Sequence, residues 1–298
     1  MKTMVFVNPT AARGKALPMV PALKRQLDQL GLDYTLEISP SADALPLLVR
    51  QAVAQGYQLI VAGGGDGTAH IVGAALIGTQ AYLGVLPMGR GNDFSHALGI
   101  PRDLAGACRI LRDGIPVKID AGRAQTGQYY LNMAGAGFDG EVNRLGNQIR
   151  FLKGGSAYTY ATLVELFRFK AGLFTLKYDQ GTWQGKALML AIGNSPVYGG
   201  GMRVTPNAKL NDGLFDVCVV GDLGKIDFLA TFPKVFKGTH MSNPKVFGFQ
   251  TRRIEIAVDK DYKSYADGDF FSDLPMTLEV VPQALTVFVS KEKSPALI

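Results

Sequence analysis

Cysteine is scarce in this chain of 298 residues, where Cys108 and Cys218 are the only two. They lie far apart in apolar stretches, which fits two reduced, buried thiols and excludes a disulfide framework. Histidine is nearly as rare, and His70, His96 and His240 are too scattered for a transition-metal centre. Each reads as a surface residue or a satisfied core residue. No apolar run reaches the roughly 18 residues of a transmembrane helix, and the first residues, Met1 to Asn8, are too short for a signal-peptide core. A cytoplasmic protein is therefore expected, with at most a peripheral place at the inner membrane surface. Charged residues make up only 19% of the chain, too few for disorder, and no internal repeat or low-complexity tract is present.

What the chain does have is apolar material and a positive balance. Hydrophobic residues are 47% of it and the formal charge is +6. This favours anionic partners such as nucleotides or acidic headgroups. No recognised aromatic or zinc module for nucleic acid accompanies the charge, so a nucleic-acid partner is not expected. The length favours two domains. Strand and helix patterns alternate at first: Lys2 to Asn8 extended, Leu17 to Leu30 helical, Asp33 to Ile38 extended, Ala42 to Ala54 helical. Then come strands at Gln58 to Ala62 and Tyr82 to Pro87, with helices from Thr68 to Leu76 and Asp103 to Arg112. That order predicts an α/β domain over residues 1–124, a parallel sheet with flanking helices. Beyond it, strand candidates dominate: Tyr129 to Ala134, Leu173 to Tyr178, Lys186 to Gly193, Leu214 to Val220, Arg252 to Val258, Met276 to Val281 and Leu285 to Val289. Helices are expected only at Ala157 to Phe169 and Lys225 to Val235. A mainly antiparallel β-sandwich over 125–290 follows, with a tail at 291–298 that packs back on the first domain.

Ligands of such parallel sheets bind beyond the carboxyl ends of strands, and three loops fall there. Val61-Ala62-Gly63-Gly64-Gly65-Asp66-Gly67-Thr68 runs from a strand through three glycines into a helix start, which suits a phosphate. The glycines permit positive φ and bring N–H groups close to anionic oxygens, and Asp66 is placed to meet a nucleotide-bound cation or a ribose hydroxyl. Asn8-Pro9 reads either as an ordinary turn or as a nucleotide contact. Pro87-Met88-Gly89-Arg90-Gly91-Asn92-Asp93-Phe94 reads as a capped turn or a second ligand loop. Lys15 lacks the spacing of a Walker-type loop.

Taken together, Asn8-Pro9, Gly63 to Thr68, Pro87 to Phe94 and Leu98-Gly99-Ile100-Pro101 resemble the catalytic domain of the diacylglycerol kinase family, and within it the small bacterial lipid kinases. The similarity continues through Asn132 to Asp139, Tyr198-Gly199-Gly200-Gly201-Met202, Asn211-Asp212-Gly213-Leu214 and Ala266-Asp267-Gly268-Asp269, so it covers nearly the whole chain. It implies an NAD-kinase-like first domain, ATP and Mg²⁺ in a cleft between two domains, and a lipid hydroxyl as acceptor, presented from a membrane surface. By that match the nucleotide lies against Asn8, Gly64, Gly65, Asp66, Gly67, Thr68, Gly89, Arg90, Asn92 and Asp93. Ser39 or Ser41 stands in for the family's usual threonine. Asp269 matches the family's glutamate base, with Asp267 supporting it or, because aspartate is one methylene shorter, replacing it. A structural Mg²⁺ is implied on Asp212 and the carbonyls of Lys209 and Leu214.

His70 departs from the family's usual asparagine, and Arg90 from a small hydroxyl residue. The glycine-aspartate loop alone also fits NAD kinases, and the departures also fit a catalytically silent nucleotide-binding regulator. Basic and aromatic runs at Arg150 to Lys153, Phe167 to Lys170 and Phe232 to Lys237 suit either a membrane interface or packing on the protein's own sheet. A homodimer is left open.

Overall fold

The computed structural model describes residues 1–138, 140–142, 145, 149 and 155–292, with backbone alone at 155–159, 163 and 167. The expected segments at 150–153 and 293–298 lie outside the described residues.

The first half alternates as its pattern dictates: β1 (Thr3–Val7), α1 (Val20–Gln29), β2 (Tyr34–Ile38), α2 (Leu45–Ala54), β3 (Leu59–Gly64), α3 (Asp66–Leu76), β4 (Tyr82–Pro87), α4 (Asp93–Ala97) and α5 (Leu104–Asp113). The strands pair in parallel in the order β2-β1-β3-β4. β1 and β3 are buried along their whole length. Helices cover both faces of such strands, so they read as unbroken apolar runs rather than alternating ones. The helices turn one stripe each to the sheet, Leu23 and Leu27 from α1, Leu45, Val49 and Ala52 from α2, Val72 and Leu76 from α3, and Cys108 and Leu111 from α5.

The second half holds β5 (Ile115–Ala124), β6 (Tyr129–Tyr130), β7 (Met133–Gly137), α6 (Gly155–Arg168), β8 (Gly172–Tyr178), β9 (Gly181–Gly193), β10 (Phe215–Gly221), α7 (Lys225–Thr231), β11 (Val246–Thr251), β12 (Arg253–Val258), β13 (Lys263–Ala266), β14 (Asp269–Asp273) and β15 (Met276–Val289). Its pairings are antiparallel, and its interior packs Tyr130, Phe174, Phe215, Ile254, Phe271 and Leu278. A separate cluster on the outer face joins Phe138, Leu166, Cys218, Phe228 and Val235. Both cysteines are free and buried, and burial pushes their thiols up to about 11 at Cys108 and about 12 at Cys218.

Four local expectations change. The two strands expected at 276–281 and 285–289 are one, interrupted by a bulge where Gln283 takes a φ of 52°. The strand expected at Tyr129 to Ala134 breaks at Leu131 and Asn132. The helix expected to Val235 tightens into a 3₁₀ turn over Phe232–Lys237. β5 was hidden by Pro116, which is tolerated because this end of the strand pairs on one side only, with β15.

β15 joins the halves. Its first part pairs with β12, and its last part pairs with β4 in parallel while β5 runs beside it throughout. One hydrogen-bonded sheet of 15 strands results, and Leu285, Val287 and Val289 fill the core of the first half. Asp120 sits at this crossing with no exposed surface. Its carboxylate accepts the main-chain N–H of Gly213 at 2.7 Å and of Gln283 at 2.8 Å. Removing it takes the acceptor from two part-buried N–H groups, so Asp120→Ala should lower the unfolding free energy by on the order of 1–2 kcal/mol. Urea denaturation against Asp113→Ala, an exposed control, measures this, and equal midpoints for the two variants would refute the role.

Candidate active site

Three loops leave the carboxyl ends of β1, β3 and β4 and meet. Asn8 donates from Nδ2 to the Thr68 hydroxyl at 3.0 Å. The other two loops touch backbone to backbone: a Cβ on Gly89 would lie 2.3 Å from Gly65 Cα. Contrary to expectation, none of Gly63, Gly64 and Gly65 has positive φ. β3 runs extended through Gly64, and the absence of side chains serves close approach instead. A Cβ at Gly64 would lie 2.3 Å from the Thr68 hydroxyl, whereas one at Gly67 meets nothing within 4 Å. α3 starts at Asp66 with no side chain capping its first turn. Its leading N–H groups, with the positive end of the helix dipole, are therefore available to an anion.

The acidic and amide side chains of these loops are spent on the loops themselves. Asp66, expected to meet a cation or ribose, accepts the Phe94 N–H at 2.9 Å. Burial raises its carboxyl above the ordinary value; the Phe94 N–H opposes this and the charge of Asp93 adds to it. Asn92 stands in the left-handed region with a φ of 54° and clasps Gly89, accepting from its N–H and donating to its carbonyl, both at 3.0 Å. Asp93 reaches the other half, where it accepts the N–H of Gly200 at 2.7 Å and of Gly201 at 2.9 Å. Those glycines have φ of 86° and 98°, a backbone that presents consecutive N–H groups to one acceptor. Asp66, Asn92 and Asp93 thus position the loops. Arg90 is exposed between them. The Ser39 hydroxyl is buried with no partner among the described residues. Ser41 accepts the Ala44 N–H ahead of α2.

Asp267 and Asp269 differ completely. Asp267 is buried, and its carboxylate takes four donors: the N–H groups of Leu131, Asn132 and Met133 at 2.8 to 3.0 Å, and His70 Nδ1 at 2.8 Å. Burial alone would raise its carboxyl, but the His70 hydrogen bond and charge, with the Leu131 and Met133 N–H groups, hold it below the ordinary value. Each carboxylate oxygen of Asp267 thus already has two donors. Asp269 is exposed, and its carboxylate has no hydrogen-bond partner among the described residues. It lies near enough that its charge acts on His70. His70 itself is a second correction, since it is neither a surface residue nor a core one: it reaches from α3 in the first half to Asp267 in the second. Burial pulls its pKa down, yet the Asp267 hydrogen bond and charge prevail and raise it. His96 is exposed, and buried His240 contacts the Val204 carbonyl at 3.0 Å.

At the segment expected to hold a metal, Asp212 is exposed and its carboxylate accepts the Leu214 N–H at 3.1 Å. Among the described residues no cluster of three or more acidic, histidine or cysteine side chains is arranged for a metal. The donor set there is one carboxylate and main-chain carbonyls. It lies in a negative field, because Asp212 raises the carboxyls of both Asp120 and Asp216 beyond what their burial does. All-oxygen donors in such a field fit a hard cation that keeps water. Two residues with no motif complete the arrangement. Asn194 donates to the carbonyls of Asp120 and Leu131 at 2.9 and 2.8 Å, and Asp120 holds Gly213. For Asp120 the signal in the sequence was an acid inside an apolar strand.

Comparison with known proteins extends this picture. Residues 2–124 match the diacylglycerol kinase catalytic domain, and residues 132–289 match the YegS C-terminal NAD kinase beta sandwich-like domain. The chain is 33% identical over 293 residues to a diacylglycerol kinase of Mycobacterium tuberculosis, covering 96% of this chain and 94% of that one. It is 28% identical over 299 residues to a diacylglycerol kinase of Staphylococcus epidermidis, covering 98% and 93%. The crystal structure of a diacylglycerol kinase from Bacillus anthracis has the same fold, with a TM-score of 0.76 at 23% identity over 100% of this chain and 98% of that one.

The His70–Asp267 pair makes stability depend on pH. Because His70 is held above its ordinary value, its contribution is complete below that value and is lost as pH rises through the folded-state pKa. Asp267, held below its ordinary value, contributes above that value and loses its contribution as pH falls through the folded-state pKa. The stability lost in His70→Asn should therefore be largest between about pH 4 and 6.5 and shrink above that window. Urea titrations at pH 5.5 and pH 9 that returned the same difference would show that the pair carries no charge.

Proposed function

This chain belongs to the diacylglycerol kinase family and is a lipid kinase, and we propose that it transfers the γ-phosphoryl group of ATP to the hydroxyl of a diacylglycerol-like glycerolipid. The observation that carries the reading is the contrast between two neighbouring carboxylates, Asp267 saturated by four donors and Asp269 exposed with none among the described residues.

The triphosphate lies where the three loops meet. The first N–H groups of α3, from Gly65 to Thr68, bind its oxygens, Asn8 and Thr68 flank them, and Arg90 adds a mobile positive charge from the third loop. Asp269 accepts the proton of the lipid hydroxyl as the new P–O bond forms, which suits a neutral alcohol that is a poor nucleophile. Asp267 fixes the turn that carries Asp269, and His70 fixes Asp267. For a divalent cation, Asp212 with the carbonyls of Lys209 and Leu214 is the holding set, and the ion when bound supplies positive charge beside an otherwise acidic corner. Phosphoryl transfer relies on positioning and charge neutralisation more than on covalent chemistry, and loops held rigid by buried carboxylates supply the positioning.

The NAD kinase alternative shares the glycine-aspartate loop, but the match to lipid kinases runs the whole length of the chain. Labelled ATP with a lipid extract, followed by identification of the product, tests the substrate class. ATP binding with no labelled lipid would favour the silent regulator. Asp269→Asn should lower kcat by about a hundredfold or more while leaving ATP affinity unchanged. Isothermal titration and steady-state kinetics on the same preparation measure both, and an unchanged kcat would remove Asp269 from the role of base.

A further inference from the structure

Asp267 engages only one of the two ring nitrogens of His70. Nδ1 lies 2.8 Å from the carboxylate, which also receives the N–H groups of Leu131, Asn132 and Met133. Four donors on two oxygens demand the ionised acid, so Nδ1 keeps its hydrogen whether the ring is neutral or charged. The lone pair of the neutral ring is therefore on Nε2, which has no hydrogen-bond partner among the described residues. The His70 side chain is 21% exposed against 4% for Asp267, so part of the ring meets solvent. A buried carboxylate that holds Nδ1–H in this way fixes the tautomer and offsets the charge that forms when Nε2 takes up a proton.

The ring reaches from the phosphate-loop helix to the turn that carries Asp269. His70 is one turn beyond Asp66 on α3, and Asp267 and Asp269 come from the turn between β13 and β14 in the other half. The charges that act on the ring are those of these two carboxylates. Asp66 and Asp93 are already matched to the N–H groups of Phe94, Gly200 and Gly201. Arg50 of α2 and His96 of α4, the helices beside α3, are exposed and are not among the charges that act on it. On β6, burial and the charge of Asp267 keep the Tyr130 phenol neutral. A carboxylic acid is a much stronger acid than an imidazolium, so a proton taken up by a carboxylate passes downhill to a neighbouring neutral imidazole.

We propose that His70 is a proton relay for phosphoryl transfer: Asp269 takes the proton of the acceptor hydroxyl and passes it to Nε2 of His70, directly or through one water. The acceptor O–H bond breaks as its oxygen bonds to the γ-phosphorus. The bond from that phosphorus to the bridging oxygen breaks, and its electron pair leaves with ADP. The proton ends on the imidazolium, whose charge Asp267 offsets, and departs through the exposed part of the ring, so Asp269 is again a free carboxylate for the next turnover. The proposal rests on the reading of this chain as a lipid kinase with Asp269 as base. The neutral ring is the working form, so kcat rises with pH through the pKa of His70, which Asp267 holds above its ordinary value against the pull of burial.

His70→Asn tests it, because the amide nitrogen of asparagine takes the place of Nδ1 and keeps a donor for Asp267 while the base is gone. Steady-state kinetics on the full chain from pH 6 to pH 9 should show the wild-type kcat falling about tenfold per pH unit below the pKa of His70. His70→Asn should lack that limb and turn over about tenfold more slowly at pH 8.5. Its ATP affinity by titration calorimetry and its melting temperature at pH 8.5 should match the wild type. Nitrogen-15 NMR of histidine-labelled protein, which has three histidines to assign, should show the neutral His70 ring with its hydrogen on Nδ1 and a pKa that falls in Asp269→Asn. A limb that persists in His70→Asn overturns the relay, as does a neutral ring with its hydrogen on Nε2. A kcat that falls as pH rises through the His70 pKa also overturns it, and makes His70 a cation for the γ-phosphate. An equal loss of kcat at every pH together with a lower melting temperature reduces His70 to a structural part and overturns it too. A wild type that phosphorylates no lipid at any pH defeats the kinase reading and the relay together, whereas lipid turnover with any of the four contrary results defeats the relay alone.

Discussion

The carboxylate of Asp267 is the point on which the two halves of the molecule turn. It sits at a φ of 51° and gathers three consecutive N–H groups from Leu131 to Met133 together with His70. Those three N–H groups belong to the place where β6 breaks before β7. Without an acceptor there the turn would bury unpaired donors, each costing about as much as a whole hydrogen bond contributes. Because His70 belongs to α3, the same carboxylate also binds the phosphate-loop helix to the half of the molecule that carries Asp269.

A connected set of buried polar groups spreads from that point. Asn194 donates to the carbonyls of Leu131 and Asp120, and its own N–H donates to the Asn132 carbonyl. Asp120 in turn holds Gly213 and the bulge at Gln283. The segment proposed for a cation and the turn proposed for the base are therefore two ends of one hydrogen-bonded network. The donors of this network are paired, while the side-chain oxygens of Asn132 and Asn194 are buried with no partner among the described residues. Asp93 repeats the device on the opposite side of the cleft with Gly200 and Gly201.

Much of this was legible in the residues. Unbroken apolar strands such as Met4 to Val7 and Leu59 to Ala62 announced a sheet covered on both faces, and the three ligand loops fell at its carboxyl edge as expected. What periodicity does not encode is pairing at long range. β5 was masked by Pro116, and the unity of β15 by a bulge, because both depend on which strand lies alongside. The partners of Asp66, Asp93 and Asp267 are hidden in the same way, because all three receive main-chain N–H groups from segments distant in sequence. His70 looked like an isolated departure because its partner lies 197 residues away.

The same long-range pairing bears on how the proposed triphosphate site tolerates the acids around it. Asp66, Asp93 and Asp267 all border it, and as free charges they would repel phosphate strongly in a low-dielectric site. Each is instead matched to donors: one N–H for Asp66, two for Asp93, three and an imidazole for Asp267. Their negative charge is spread into the peptide dipoles that hold the loops in place. The first turn of α3 keeps its own N–H groups uncapped, so the positive end of a helix remains unspent where the loops converge. Asp269 is the acid left over, exposed and without a donor among the described residues. A carboxylate in that state is poor at building structure and well suited to accepting a proton, and the division of labour between it and its buried neighbour follows from hydrogen-bond supply alone.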